Sequence, residues 1–94
     1  MTVYAVTYDY SDDTAARDEH RPAHREFLGS LAQEGVLKLS GPLAGQTQGA
    51  LIIVEAGDPE AVRTLLRDDP FQQWGLVERV EVREWTPVLG CWLV

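Results

Sequence analysis

Two histidines occur in this chain, and one of them, His24, stands where an imidazole could move protons. It precedes Phe27, Leu28 and Leu31 by three, four and seven positions, so on a helix it shares their apolar, inward side. A histidine so placed is either a half-buried core residue satisfied by carbonyl and water, or a general acid/base held beside a ligand. The first is the commoner fate. If the helix begins near Pro22, the dipole of its first turn would favour the neutral imidazole. His20 lies four residues earlier, the spacing of two metal ligands on one helix face. Pro22 interrupts that pair and no third ligand accompanies it, so no metal is expected. His20 reads as a solvated residue among Asp18, Glu19 and Arg21.

The carboxylates offer a partner. Asp69-Pro70 places a side-chain cap ahead of a proline at the first helical position, but Asp58-Pro59 is built identically. Spacing alone gives Asp69 no preference over Asp58. Tyr8 and Tyr10 share one strand face, where they either line a cleft or pack as an aromatic sheet edge. Ser40-Gly41-Pro42 is first a strand terminator; Ser40, Tyr8 and Arg21 are second-rank candidates for touching a ligand. There is no G-x-S-x-G, no P-loop and no G-x-G-x-x-G, and no cofactor is expected. The lone Cys91 excludes an internal disulfide. With no basic neighbour to favour its thiolate, it reads as packing.

These candidates need elements to hold them. Val3 to Tyr10 alternates as a strand and ends at Ser11-Asp12-Asp13. A short turn is expected over 14–20, then a helix from Pro22 to Glu34 whose stripe is Ala23, Phe27, Leu28 and Leu31. Gly35 stands at the position after the helix that favours a left-handed residue. Val36 to Ser40 is a second strand, halted by Gly41-Pro42, and Leu43 to Gln48 a loop. Gly49 opens a third strand reaching Glu55, its apolar run expected to be buried on both faces. Asp58 starts a helix that buries Val62, Leu65 and Leu66, and Asp69 starts a short helical turn ending near Trp74-Gly75. Leu76 to Thr86 is a half-solvated strand with Val80 and Val82 on one face. The order β-α-β-β-α-β predicts an α+β, ferredoxin-like domain, one antiparallel sheet with its helices on one face. A partner subunit is expected to cover the other face. The apolar tail from Val88 to Val94 could contribute a strand to it.

Composition bounds what such a domain can do. Ninety-four residues, 45% apolar and 24% charged, make one domain over 1–94. A chain this short buries only about 60–65% of its unfolded surface, too little to enclose a pocket alone. Fifteen acids against eight bases give −7. No basic stripe is available for phosphates, which excludes nucleic acid, and the same sign excludes anionic membrane surfaces. No apolar run reaches the roughly 18–20 residues of a membrane helix, and the N-terminal stretch lacks a basic leader region. A soluble, cytoplasmic domain is expected. The charge is uneven: residues 1–34 carry −4, residues 35–57 are neutral and residues 58–94 carry −3, so the middle third reads as central strands.

Several scattered features share one order. Arg21-Pro22-Ala23-His24 opens the first helix and Gly35 ends it; Gly41-Pro42 follows the second strand and Gly49 leads the third. Asp69-Pro70-Phe71 then comes with Gly75-Leu76 before the last strand. In this order and spacing, over about residues 3–87, the chain resembles the YCII-related (YciI-like) family. The resemblance implies a ferredoxin-like domain that forms homodimers in the manner of the dimeric α/β barrel proteins. It also implies a histidine–aspartate pair at an active site, here His24 and Asp69, and so separates Asp69 from Asp58. Relatives of that family include an enzyme that eliminates chloride from a chlorinated hydroxyhydroquinone. Two features depart from the family pattern, a short loop between Pro42 and Gly49 and a long, aromatic tail after Pro87.

The function expected is cofactor-free acid/base chemistry, as a lyase or isomerase, on a small polar or aromatic molecule. His24 would be the acid/base and Asp69 its orienting partner. The alternative is a non-catalytic ligand-binding or interaction module in which the pair is a structural hydrogen bond.

Overall fold

Strand β1, Thr2–Tyr10, alternates as its sequence requires: Tyr4, Val6 and Tyr8 are buried on one face while Val3, Ala5 and Thr7 are half-buried on the other. The computed structural model of the chain describes residues 1–93; Val94 lies outside the described residues. The elements run β1, α1 (Thr14–Gln33), β2 (Leu37–Leu43), β3 (Gly49–Ala56), α2 (Pro59–Leu66), α3 (Pro70–Gln73) and β4 (Val77–Glu84). One sheet takes the order β2-β3-β1-β4, every neighbouring pair antiparallel. This is the ferredoxin-like arrangement. The core lies between one sheet face and the helices, where Val6, Ile52 and Val54 meet Leu28, Leu31, Val62 and Leu66.

The first helix differs from its expected bounds. It begins at Thr14, capped by the Asp13 side chain, which accepts from the Ala16 N–H at 3.1 Å. Pro22 therefore sits inside the helix, and residues 14–20 are its first two turns, not a separate one. An interior proline costs about 3 kcal/mol in a typical helix. Here it is exposed, so the carbonyl it leaves unpaired faces water, and both flanks are anchored. The anchor upstream is Arg17, which is buried and extends the inward side formed by His24, Leu28 and Leu31. A charged residue gives no apolar signal, so the sequence pattern began one proline too late. Ala23, expected in the stripe, is exposed.

β2 also runs further than expected, through Gly41-Pro42 to Leu43. Proline removes a ladder donor, but β2 is an edge strand and Pro42 pairs with Ala50 without needing its outward side. At the start of β3, Gly49 is buried under β1, and a Cβ there would collide with the Tyr8 carbonyl oxygen. The apolar run that follows is buried at Ala50, Ile52, Ile53 and Val54, with Leu51 left partly open.

The face of the sheet away from the helices carries Val3, Leu39, Leu51 and Ile53. The tail folds back across it as a 3-10 turn, Cys91–Leu93, leaving an apolar hollow of about 560 Å³ between tail and sheet. The chain thus covers part of this face itself, and in the described residues the tail adds no strand. The cover is thin: Leu89 is 92% exposed and Trp92 82%, while Cys91 is exposed and not packed. No helix is long and apolar enough to cross a membrane among the described residues.

Candidate functional site

Asp69 and Asp58 share a local pattern and part company in burial. Asp58 caps α2 from the surface, accepting from the Ala61 N–H at 2.7 Å. Asp69 caps α3, accepting from the Phe71 N–H at 3.0 Å, but it is completely buried. The turn that holds it is locked at its far end. Gly75 takes φ +69, a left-handed conformation that suits glycine, so that Leu76 N–H reaches Phe71 O and Gly75 N–H reaches Gln72 O. The result is a four-residue helix fixed at both termini, with its cap aimed into the core.

Three donors converge on the Asp69 carboxylate. Oδ1 accepts from the Phe71 N–H and from His24 Nδ1 at 2.8 Å; Oδ2 accepts from the Tyr8 hydroxyl at 2.8 Å. Tyr8 accepts in turn from Gln72 Nε2 at 3.1 Å. Because a carboxylate only accepts, this contact fixes the imidazole tautomer with its proton on Nδ1. Nε2 then presents its lone pair, and makes no hydrogen bond within the described residues. Phe71 stacks flat on the His24 ring, centroids 3.9 Å apart and planes 3° from parallel, which leaves the imidazole little freedom to turn. The same α3 residue pair therefore orients His24 by a hydrogen bond and by a face.

His24 opens on a cavity of about 480 Å³ between α1, the edge strand β2 and the end of β1. Its rim includes Arg21 and Arg25 from α1, Ser40 and Pro42 from β2, and Tyr10 from β1. Of the residues singled out from sequence, His24, Arg21 and Ser40 line this cavity. Asp69 stands behind His24, and Tyr8, fully buried, stands behind Asp69. The Tyr8 phenol is held well above its ordinary range, first by burial and then by the negative charge of Asp69. It remains a hydrogen-bond donor at neutral pH, with no exposed surface to offer a ligand. Tyr10 is the tyrosine that reaches the cavity. Its phenol is also raised, by burial and by Asp69, against the opposing pull of Arg17, Arg21 and Arg25.

Two expectations are corrected here. His24 lies in the third turn of a helix that starts at Thr14, so the first-turn dipole does not act on it. His20 is not simply solvated: its ring stacks on Trp74, centroids 4.4 Å apart. Arg17, Arg25, Phe71 and Gln72 carry parts of the site that the sequence pattern did not single out as candidates. Arg17 donates to the Ser11 carbonyl and to the Gln48 side chain, and lies 5.0 Å over the Tyr10 ring. Among the described residues no group of three potential metal ligands forms.

The YCII-related domain model matches residues 1–86, which include every residue of this network. The chain is 32% identical over 77 residues to the "Derivative of benzaldehyde biosynthesis cluster protein C" of Emericella nidulans, a match covering 71% of this chain and 79% of that protein. In structure it is similar to the 5-chloro-2-hydroxyhydroquinone dehydrochlorinase TftG of Burkholderia phenoliruptrix AC1100, solved in complex with 2,5-dihydroxybenzoquinone. That likeness has a TM-score of 0.77 at 22% identity and covers 89% of this chain and 93% of that one. The cofactor-independent oxygenase SnoaB of Streptomyces nogalater is similar at a TM-score of 0.53 and 13% identity, covering 96% and 95%. At such identities the structural likenesses speak for the fold, whereas the domain match spans nearly the whole chain: the protein belongs to the YCII-related family.

Proposed function

We propose that this protein is a small homodimeric enzyme that performs cofactor-free proton transfer on a small hydroxylated aromatic or quinone-like molecule, with His24 as general acid/base and Asp69 as its positioning partner. One observation carries the reading. The Asp69 carboxylate and the Phe71 ring together fix His24 at the wall of an open cavity, with Nδ1 engaged by Asp69 and Nε2 left without a partner among the described residues. A base needs its lone pair within reach of the proton it takes, and its partner on the opposite nitrogen. In the reaction, Nε2 takes a proton from a ligand C–H or O–H, and the electron pair stays on the ligand. That pair either forms a new π bond as a leaving group departs with its own electrons, or is protonated again at another carbon. The first outcome is a lyase reaction, the second an isomerisation. Asp69 stabilises the imidazolium formed in between, and Ser40, Arg21 and Tyr10 are placed to hold the ligand's oxygens.

The chemistry of the structural relatives supports the substrate class, since a dehydrochlorinase of a hydroxyhydroquinone and a cofactor-independent oxygenase share this fold. The exposed apolar face of the sheet supports the dimer. A second reading keeps the same bonds as structure alone, because Asp69 also caps α3 and anchors Tyr8. The two separate in one experiment. Chloride release from 5-chloro-2-hydroxyhydroquinone is followed for the native protein, His24→Gln and Asp69→Asn, with unfolding measured alongside. The acid/base reading expects His24→Gln to lose roughly 10²–10⁴-fold in rate while remaining folded. A native rate in His24→Gln overturns it. No turnover by the native protein, with His24→Ala costing about 1–3 kcal/mol of stability, favours the structural reading.

A further inference from the structure

The cavity beside His24 has a charge opposite to that of the chain. In a protein of net −7, its lining holds two guanidinium groups and no carboxylate. An adjoining hollow shares Tyr10 and Arg21 with it and adds Arg17, again without a carboxylate. Residues 1–34 contain seven acids and three bases, and all three bases, Arg17, Arg21 and Arg25, stand here on successive turns of α1. Arg21 is paired outward to Asp18 at 2.6 Å, a solvent-facing contact of small strength. Arg25 has no ionic partner among the described residues, and Arg17, though buried, bonds only to neutral oxygens.

Resting on the reading of this cavity as the His24 substrate site, we infer that the substrate enters as an anion: a carboxylate, or a hydroxyl acidic enough to be ionised at neutral pH, is held by Arg21 and Arg25 while its reacting hydrogen faces His24 Nε2. Guanidinium groups recognise anionic oxygens in a plane with paired donors. Two positive groups beside the base also favour the negative charge that builds on the ligand when its proton leaves. All three arginines pull on the Tyr10 hydroxyl at the cavity rim, against the larger effects of burial and of Asp69 behind His24. The acidic remainder of the surface repels the same ligand, so that the anion is drawn to one cleft.

Matched probes test this. Binding of benzoate against benzamide, and of 2,5-dihydroxybenzoquinone against its dimethoxy ether, is measured by calorimetry, with the His24 ring signals followed by NMR. The anionic member of at least one pair is expected to bind roughly tenfold tighter or more, and to weaken as salt rises. The pair that discriminates says whether a carboxylate or an acidic hydroxyl is read. Arg25→Gln and Arg21→Gln should each shrink that preference several-fold, whereas the distant Arg63→Gln should keep it. Equal binding of both members, with the His24 signals moving, overturns the charge reading and leaves the cavity as the binding site. If no probe moves the His24 signals, the cavity reading falls as well.

Discussion

The Asp69 side chain holds a helix cap, an imidazole and a phenol at once, and those three roles are separable by substitution. Asp58 serves as the internal comparison, because its capping pattern is the same and its surroundings are water. Asp58→Ala should cost about 1 kcal/mol, the loss of one exposed cap. Asp69→Ala should cost about 3 kcal/mol or more, since it also leaves the buried Tyr8 hydroxyl and Phe71 N–H without an acceptor. Urea unfolding of the two variants under one condition checks the ordering. Tyr8 adds a pH signature. Its phenol keeps its proton in the fold past the ordinary value of 10.0 at which the unfolded chain ionises. Below pH 10 both states are protonated and the contribution is complete; above it only the unfolded chain gains by ionising. Stability should therefore fall as pH rises beyond about 10, by up to about 1.4 kcal/mol per pH unit from this group. In Tyr8→Phe the unfolding midpoint should change much less between pH 9 and 11; an identical slope in both proteins would exclude Tyr8 as its source. At this scale the sequence was half legible. His24 announced itself by its place in the apolar stripe, but Asp69 and Asp58 differ only in what folds over them. Burial is a tertiary fact that no local spacing records.

Elements were easier to name than to bound. All four strands and both main helices follow from alternation, helical stripes and the Asp-Pro caps, and their order implies the fold. The errors fall at Pro22 and at Gly41-Pro42, where local rules call for a break. In α1 the break is overridden by the Asp13 cap and by anchors on either side of the proline; in β2 an edge position makes the missing donor harmless. Pro42 lines the candidate cavity and Pro22 lies in α1 between Arg21 and His24, which do, so the override also sets the site's shape: a helix beginning at Pro22 would not present Arg17 or stack His20 on Trp74. Pro22→Ala should restore the missing helical hydrogen bond on an exposed face. We expect it to raise stability by about 1–2 kcal/mol in a calorimetric scan, with the His24–Asp69 contact retained. Gly49→Ala should do the reverse, because its methyl group meets the Tyr8 backbone and must push β1 from β3. It should lower the melting temperature and, through Tyr8, disturb the His24–Asp69 contact.

At the scale of the whole molecule, the sheet has a finished face and an unfinished one. Helices seal the first, while a short turn of the tail only partly covers the second and leaves large apolar side chains in water. Two copies joined across that face would make a body of about 188 residues, which buries roughly 70% of its unfolded surface. Sedimentation equilibrium should therefore return twice the 10.5 kDa chain mass, and a monomer at micromolar concentration would count against the dimer. The sequence implied this shortage through length alone, whereas the return of the tail over its own sheet was hidden, since an apolar tail carries no address. The tryptophans carry a last consequence. Trp85 and Trp92 belong to the tail and its approach, and Trp74 lies over His20, so the core of the protein contains no indole. Intrinsic emission thus reports on the tail face of the sheet and on one stacked histidine, and not directly on the interior. If two copies join across the tail face, its wavelength should shift to the blue as concentration rises. A fluorescence melting curve should overlay the circular-dichroism curve where the chain unfolds in a single step, and should precede it where subunits part before the core melts.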